Sequence, residues 1–498
     1  MSASVQRGWP AVVDTVLIAG LALLALVPLA PVFDDGRFCL AGVGGVLPVS
    51  VVGVVGARLR AGVLELTGFT IVGYFLFGGV FALRESAIAG VVPSLETLRD
   101  LAVSVVFGWK NLLTVSIPVS GFDQLFAVPY LAGLIGSVLA VSFALRRRGL
   151  ALLPVAGLLI FAIAFGDSSG LLPALVGGLL GGIGLGWETW RRKRDRASLV
   201  VASSGGSEEA RRARLRQLSL GTAALLLAGA VGTGAAAAAS GNWDRSTLRE
   251  QVVPPLEVHA YASPLMSFRK FIEDGDDSTL FTVSGLPAGG VIRIASLDLY
   301  DGIVYKVSGG GGAASGVFAR VGRDIPGEAA GEAATVRVRI QDLRGVWLPA
   351  AGNLAGIEFG GPRADDLTAG MHYNRATSTA VQTAGVAEGD TYTLDARIPV
   401  QPSSGELNQA SLAQIATPVP EMIPDAISDR LNEAVTGTES PIKQVQAIQD
   451  YLTSKGYVSH GLEGDVASRP GHTFERLSAM LNNQQMIGDD EQYAVVMA

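Results

Sequence analysis

Apolar residues fill seven stretches within the first 240 positions, at 13–33, 38–57, 63–83, 125–145, 149–165, 169–188 and 218–239. A helix of about 20 apolar residues spans the hydrocarbon core of a bilayer. Only helices and closed barrels can do so with every backbone amide bonded. The pattern therefore predicts an α-helical polytopic membrane bundle over residues 1–240. Between the third and fourth stretches, Ser94 precedes Leu98, Leu101, Val105 and Val106 at helical spacing, with Glu96, Arg99 and Asp100 opposite. This predicts a helix lying flat on the outer membrane face.

Beyond position 240 the period changes. Short alternating runs at Leu280–Val283, Val291–Ala295, Ile303–Val307, Ala334–Ile340, Ala380–Thr383 and Thr391–Leu394 are separated by Gly and Pro clusters. They predict antiparallel strands in a sandwich or barrel, a β-rich domain over 241–415. After Pro420 helical spacing returns. Ile427, Leu431 and Val435 share one face, Ser440-Pro441 opens a helix carrying Ile442, Val445, Ile448 and Leu452, and Phe474, Leu477, Met480 and Leu481 mark a third. Residues 416–498 thus form a helical third part. Its last helix, opened by Gly488-Asp489-Asp490, stops at Ala498 in mid-pattern, which predicts the N-terminal part of a longer protein.

Charge orients the bundle. Arg7, Arg58, Arg60, Arg146 to Arg148, and Arg191 to Arg196 with Arg211 to Arg216 fall in alternate loops, whereas the other loops carry Asp34, Asp35 and Asp167. Cationic loops stay cytoplasmic, so the N-terminus is expected inside and residues 241–498 outside. No cleavage site follows the first stretch, which is expected to remain as an anchor. The basic segment 191–217, with Ser203 to Ser207, predicts a flexible linker touching lipid headgroups. Asp14 and Glu65 sit near span ends, where the interface can hydrate them. Gly177, Gly178, Gly181, Gly182 and Gly184 offer a face for close helix packing. A bundle without a conduction path is expected, a transporter or channel being the alternative.

The formal charge of −7 conceals a division: residues 1–239 hold 19 Lys/Arg against 13 Asp/Glu, and residues 240–498 hold 19 against 32. An acidic outer region argues against nucleic acid as a partner. Arg outnumbers Lys 32 to 6, which fits a GC-rich bacterial source and hence the plasma membrane. The single cysteine, Cys39, excludes an internal disulfide and a Cys-ligated zinc site, and its apolar surroundings predict a small packing residue. Gly309 to Gly312 lacks a following Lys-Ser/Thr and is a hairpin tip, not a phosphate cradle. His460 and His472, with Glu463, Asp465 and Asp490, match no zinc spacing, so neither metal nor cofactor is expected. His259 and His372 stand alone. Asp489, Asp490 and Glu491 open a helix, where acids cap amides and complement the dipole.

Several stretches carry a resemblance. Leu248-Arg249, Pro254-Pro255, Ser263-Pro264-Leu265, Phe268-Arg269 and Ile292 to Asp298 running into Tyr300-Asp301-Gly302 follow the multi-span N-terminus. Gln444 to Tyr457, Ser459-His460-Gly461, Gly471-His472 and Gly488 to Ala494 come next. Together they resemble the bacterial membrane-anchored transglutaminase-like proteins. The resemblance implies the start of an α+β, papain-like core over 416–498, with a nucleophilic Cys opening a helix and His and Asp following on later strands. The family pattern Gly-aromatic-Cys-Glu-x-aromatic-Ala fits Gly488, Glu491, Tyr493 and Ala494, and sets Asp490 at the nucleophile position. The resemblance therefore implies a protein without acyl-transfer chemistry at that position, binding an envelope protein or cell-wall peptide outside. The alternative is a cysteine-type acyltransferase or peptidase completed beyond residue 498. The resemblance also implies an intracellular MoxR-type ATPase as a partner of the basic segment.

Overall fold

Among the described residues, eight helices follow one another in the first part of the chain: α1 (Trp9–Leu26), a 3-10 turn (Val27–Leu29) leading into α2 (Ala30–Phe33), α3 (Arg37–Arg58), α4 (Val63–Phe81), α5 (Leu95–Thr114), α6 (Ala127–Leu145), α7 (Leu152–Phe165) and α8 (Leu172–Val200). The computed structural model describes residues 9–200 and 256–498, except 59–61, 120, 146–149, 168–170, 274–277, 309–315, 326, 328, 412–416 and 438–439, and also Leu248 and Val252. It divides into two units, Met1–Val253 and Pro254–Ala498. Among the described residues, Ala11–Phe33, Leu64–Phe81 and Asp123–Leu145 are long and apolar enough to cross a membrane. Arg37–Pro48 and Leu152–Phe165 are shorter apolar helices. The expected span 218–239 and the glycines Gly309 to Gly312 lie outside the described residues.

Helix α6 is the axis of the first unit. A Cβ at Gly45 would lie 2.5 Å from the Tyr130 carbonyl oxygen, so α3 and α6 meet backbone to backbone. Tyr130 is fully buried there, and its hydroxyl donates to the Gly73 carbonyl of α4 at 3.1 Å. The α3–α6 approach is closer than any at the described glycines of α8, which packs closely at Gly184. On α8, Gly184 meets Leu152 and Gly177 meets Leu159, but Gly181 and Gly186 have no neighbour within 4 Å. Helix α5 differs too. Ser94 caps it as expected, accepting from the Thr97 amide at 3.1 Å. Its buried face combines the small Thr97, Ser104 and Gly108 with Leu101 and Leu112, while Val105 and Val106 are exposed. Small side chains let α5 approach α4 and α6 closely, which the hydropathy pattern does not register.

Three further expectations are corrected. Cys39 is exposed on α3 and packs nothing in the core. Residues 191–200 continue α8 as helix, so the basic segment does not start as a flexible linker. Asp14 is fully buried, not hydrated. Its Oδ1 accepts from Trp187 Nε1 at 3.0 Å and its Oδ2 from Arg194 Nη2 at 3.0 Å. Glu65 is exposed, and caps α4 by accepting from the Gly62 amide at 2.8 Å. At the start of α3, Arg37 joins Asp35 (2.6 Å), Glu85 (2.9 Å) and Asp123 (2.8 Å). That network holds more carboxylates than cations.

The second unit begins with α9 (Phe268–Glu273) and then strands β1 (Phe281–Ser284), β2 (Ile292–Arg293), β3 (Leu299–Tyr300), β4 (Tyr305–Lys306), β5 (Phe318–Arg320), β6 (Glu332–Ile340), β7 (Gly345–Trp347), β8 (Ala350–Ala351), β9 (Asn353–Gly360), α10 (Ala364–Gly370), β10 (Met371–Asn374), β11 (Thr379–Val386) and β12 (Thr391–Ile398). Two four-stranded antiparallel sheets, ordered β1-β6-β12-β9 and β5-β10-β11-β7, contribute to one core. The inward residues Val336, Val338 and Ile340 of β6 meet Leu394 and Ala396 of β12, Leu354 and Ile357 of β9, and Met371 and Tyr373 of β10. Alternation along β6 explains the register: Leu394 pairs Val336 and Tyr392 pairs Val338, so both strands turn the same apolar face inward.

Helices α11 (Ser404–Gln409), α12 (Asp425–Val435), α13 (Pro441–Lys455), α14 (Phe474–Asn482) and α15 (Asp490–Met497) complete the chain with strands β13 (Gly456–Val458) and β14 (Met486–Gly488). β13 and β14 pair in parallel, with α14 in the connection between them. Leu452, Met480, Leu481 and Met486 form the core of this part.

Candidate functional site

Strand β14 delivers the chain to the start of α15, and residues around that turn are fixed by their surroundings. Gly488 admits no side chain, since a Cβ would lie 2.6 Å from Met480 Sδ. Its carbonyl accepts from the Ser459 amide at 2.8 Å. Tyr493 clamps the parallel pair: its hydroxyl accepts from the Tyr457 amide at 2.9 Å and donates to the Met486 carbonyl. Gly488 and Tyr493 thus hold the turn, which accounts for their spacing without any chemistry.

Three acids open α15 and take three different roles. Asp489 is the N-cap. It is fully buried, its Oδ1 accepts from the Glu491 amide at 3.1 Å and the Gln492 amide at 3.4 Å, and Gln492 Oε1 accepts from the Asp489 amide at 2.9 Å. Asp490, at the first helical position, is exposed. Glu491 turns inward, with its Oε1 2.5 Å from His472 Nδ1 and its Oε2 accepting from the Gly471 amide at 3.2 Å.

The imidazole tautomer follows from its other contact. His472 Nε2 accepts from the Tyr305 amide at 2.7 Å, so Nε2 bears no proton and Nδ1 donates to Glu491. A neutral His472 therefore faces a carboxylate. The hairpin β3–β4 supplies this shell: the Tyr300 hydroxyl donates to the His472 carbonyl at 2.8 Å, and the Phe474 amide donates to the Gly302 carbonyl at 2.8 Å. Burial, with the nearby Asp301 carboxylate, pushes the Tyr300 hydroxyl up to about 12. Burial alone would raise Asp301. The Lys306 ammonium and the Ile303 and Val304 amides outweigh it and hold the carboxyl at about 2. The Tyr300-Asp301-Gly302 motif is thus a hairpin built to seat His472.

Arginines stand behind the cap. Arg269 of α9 donates from Nη2 to the Ser468 carbonyl at 2.9 Å, and the same nitrogen lies 3.8 Å from Asp489 Oδ2. Arg476 donates to the carbonyls of Arg469 and Ile487 at 2.8 and 3.0 Å. Burial raises the Asp489 carboxyl above its ordinary range, the Glu491 charge adds to this, and the capped amides and Arg269 only partly offset it. Among the described residues, no group of three or more His, Cys, Asp and Glu could hold a metal ion.

Chemically, the Glu491–His472 pair has the form of a base and its orienter. Both ring nitrogens are engaged, however, and His472 is 2 % exposed. In this arrangement it takes no proton from a substrate. Asp490 is the exposed carboxylate of the three, and Cys39 lies in the other unit. Sequence reasoning named Asp490, Gly488, Glu491 and Tyr493 but did not join Glu491 to His472 or Asp489 to Arg269. The quoted Phe268-Arg269 and Gly471-His472 motifs were the signals that could have done so.

The profile of the TgpA N-terminal domain matches residues 20–403. The chain belongs to that family. Its membership makes this a transglutaminase-like protein. The TgpA N-terminal match takes in the apolar helices and both four-stranded sheets, and ends before the turn that carries Asp490. Comparisons with curated proteins and with solved structures returned no match.

Proposed function

We infer that this TgpA-family chain is a membrane-anchored, transglutaminase-like protein that performs no acyl transfer at position 490. Its region beyond residue 240 works outside the cytoplasm of a bacterial cell, binding an envelope protein or a cell-wall peptide. One observation carries the reading: an exposed aspartate at the first position of α15, where the family pattern has its cysteine. Acyl transfer of that kind needs a thiolate, stabilised by the helix N-terminus, that attacks a carboxamide, expels ammonia and holds the acyl group as a thioester until an amine displaces the thiolate. A carboxylate is a poorer nucleophile and would form an anhydride that water hydrolyses. The one sulfur nucleophile of the chain, Cys39, sits on α3 of the helical unit.

The orientation draws on both ends of the helical unit. Arg191 lies late in α8 and donates to the α6 carbonyl of Ala144, and the triplet Arg146 to Arg148 follows α6 in sequence. At the other end of α6 stands the acid-rich Arg37 network with Asp123. That polarity supports a cytoplasmic N-terminus. A MoxR-type ATPase remains the proposed partner of the basic segment.

The test is amine incorporation into a glutamine-bearing protein by the full chain in lipid nanodiscs. Background incorporation, unchanged in Asp490→Ala, is expected. Incorporation above background that Asp490→Ala abolishes would overturn the reading. The side of the membrane is tested separately by protease protection in intact cells and inverted vesicles.

A further inference from the structure

The Asp14 cluster has more guanidinium than carboxylate. Two arginines surround one aspartate: Arg194 Nη2 donates to Asp14 Oδ2 at 3.0 Å, and Arg191 Nε stands 3.8 Å from the same oxygen. Trp187 takes the other oxygen. Arg191 Nη2 donates to the Ala144 carbonyl, and its guanidinium lies 5.2 Å from the centre of the Trp187 ring. Arg194 stacks 4.6 Å from the centre of the Trp190 ring. Among the described residues, neighbouring charges do not correct the balance, since Glu188 pairs with Arg192 at 2.9 Å and Lys193 is exposed.

Two donors are left over. Arg191 Nη1 and Arg194 Nη1 are buried and have no hydrogen-bond partner among the described residues. The Arg191 side chain is only 6 % exposed, so solvent does not serve it. A buried N–H without an acceptor is costly, and a buried charge without its counterion more so. Both deficits are met by one group of a particular kind, a compact anion with several acceptor oxygens. Carboxylates and phosphates fit the guanidinium fork, and phosphate offers more oxygens to two arginines at once.

We propose that Arg191 and Arg194 bind a phosphate group, and that the phosphate is the headgroup of an acidic phospholipid. Free inorganic phosphate offers the same chemistry, but the place favours lipid. Along α8 the exposed side chains before the site are Leu175, Leu179, Ile183 and Leu185, an apolar strip that suits acyl chains, and Trp190 at 41 % exposure suits the headgroup level. Basic pockets between apolar helices are the usual seats of acidic headgroups. This assignment is independent of what position 490 does.

Native mass spectrometry of the full chain, released from vesicles of phosphatidylcholine with phosphatidylglycerol, tests it. The wild type is expected to retain phosphatidylglycerol over phosphatidylcholine by at least about tenfold. Arg191→Lys keeps the charge and the contact with Trp187 but removes the fork, and should erase most of that preference. Arg192→Gln, at the exposed neighbour, should leave it intact. Millimolar inorganic phosphate as competitor separates the sources: persistence of the lipid adduct supports the headgroup, and its displacement, with phosphate retained in its place, overturns the lipid assignment. Equal retention of the two lipids by wild type, or an undiminished preference in Arg191→Lys, overturns the site itself.

Discussion

Among the described residues, two carboxylates lie wholly out of solvent, Asp14 in the helical unit and Asp489 in the sheet-containing unit, and their surroundings are short of opposite things. Around Asp14 two guanidinium groups answer one carboxylate, and two N–H donors have no acceptor. Around Asp489 a second buried acid, Glu491, stands two residues along the chain, and Asp489 Oδ2 has no donor. The first site lacks an anion. The second lacks a donor: it meets two buried acids with backbone amides, with Arg269 3.8 Å away and with Arg476 nearby, and Asp489 Oδ2 stays unbonded. Burying charge is tolerated where pairing is complete, so the contrast says where each unit leans on something beyond its own side chains. In the first unit that is an outside ligand, and in the second it is the N-terminus of α15.

The strongest way to break the contrast is Asp14→Ala. It leaves two buried guanidinium groups with no carboxylate, and should cost about 3–5 kcal/mol. Thermal unfolding of the full chain in detergent would read the loss. Little change would mean that the arginines already hold a counterion, and the pairing would then not depend on Asp14. His472→Ala is next. Glu491 stays buried but loses the Nδ1–H donor and keeps the Gly471 amide, so the expected cost is about 2–3 kcal/mol. Glu491→Gln retains an acceptor for Nδ1–H and should cost less than His472→Ala. The reverse order would mean that the imidazole is charged, contrary to the Tyr305 amide contact at Nε2.

Asp489→Asn sharpens the comparison through pH. The carboxyl of the folded protein is raised above its ordinary 3.8, chiefly by burial. The folded state then binds a proton more readily than the unfolded state, so wild-type stability falls as pH rises through 3.8 and beyond, until the folded group is ionised. Asparagine can still cap the helix and carries no such charge. Its stability relative to wild type should therefore be greater at pH 7 than at pH 3, measured by denaturant unfolding at both. A difference independent of pH would show that Arg269 fully neutralises the buried charge.

How much of this was legible in one dimension depends on the range of the contact. The alternation over Ala334–Ile340 and Thr391–Leu394 gave β6 and β12, because a half-buried strand writes its face into every second residue. β9 and β10 escaped: Asn353–Gly360 is buried at adjacent positions and contains Gly356, and all four residues of Met371–Asn374 are buried, so neither alternates cleanly. Ser94 and Asp489 were readable as caps because a cap acts within three residues. Asp14 was misjudged because its partner Arg194 lies 180 positions away, and no local pattern carries that distance. His472 reads from its spacing as a hydrogen-bonding residue and not a metal ligand, but its partner was not legible, because Tyr305 comes from a hairpin 167 residues earlier.

The smallest effect tests the residue on which the functional reading turns. Asp490 is exposed, its carboxylate makes no hydrogen bond among the described residues, and only the helix dipole favours it. Asp490→Ala should therefore cost only about 0.3–1 kcal/mol, less in high salt, because the field at an exposed helix end is screened. Unfolding of the full chain at low and high salt would measure it. A loss of several kcal/mol would place Asp490 in the same buried acid economy as Asp489 and Glu491, and the aspartate would then be there for folding. A small loss separates the three acids: two hold the turn, and the third stands in solvent, where the family pattern has a nucleophile, with the helix dipole as its one structural reason to be an acid.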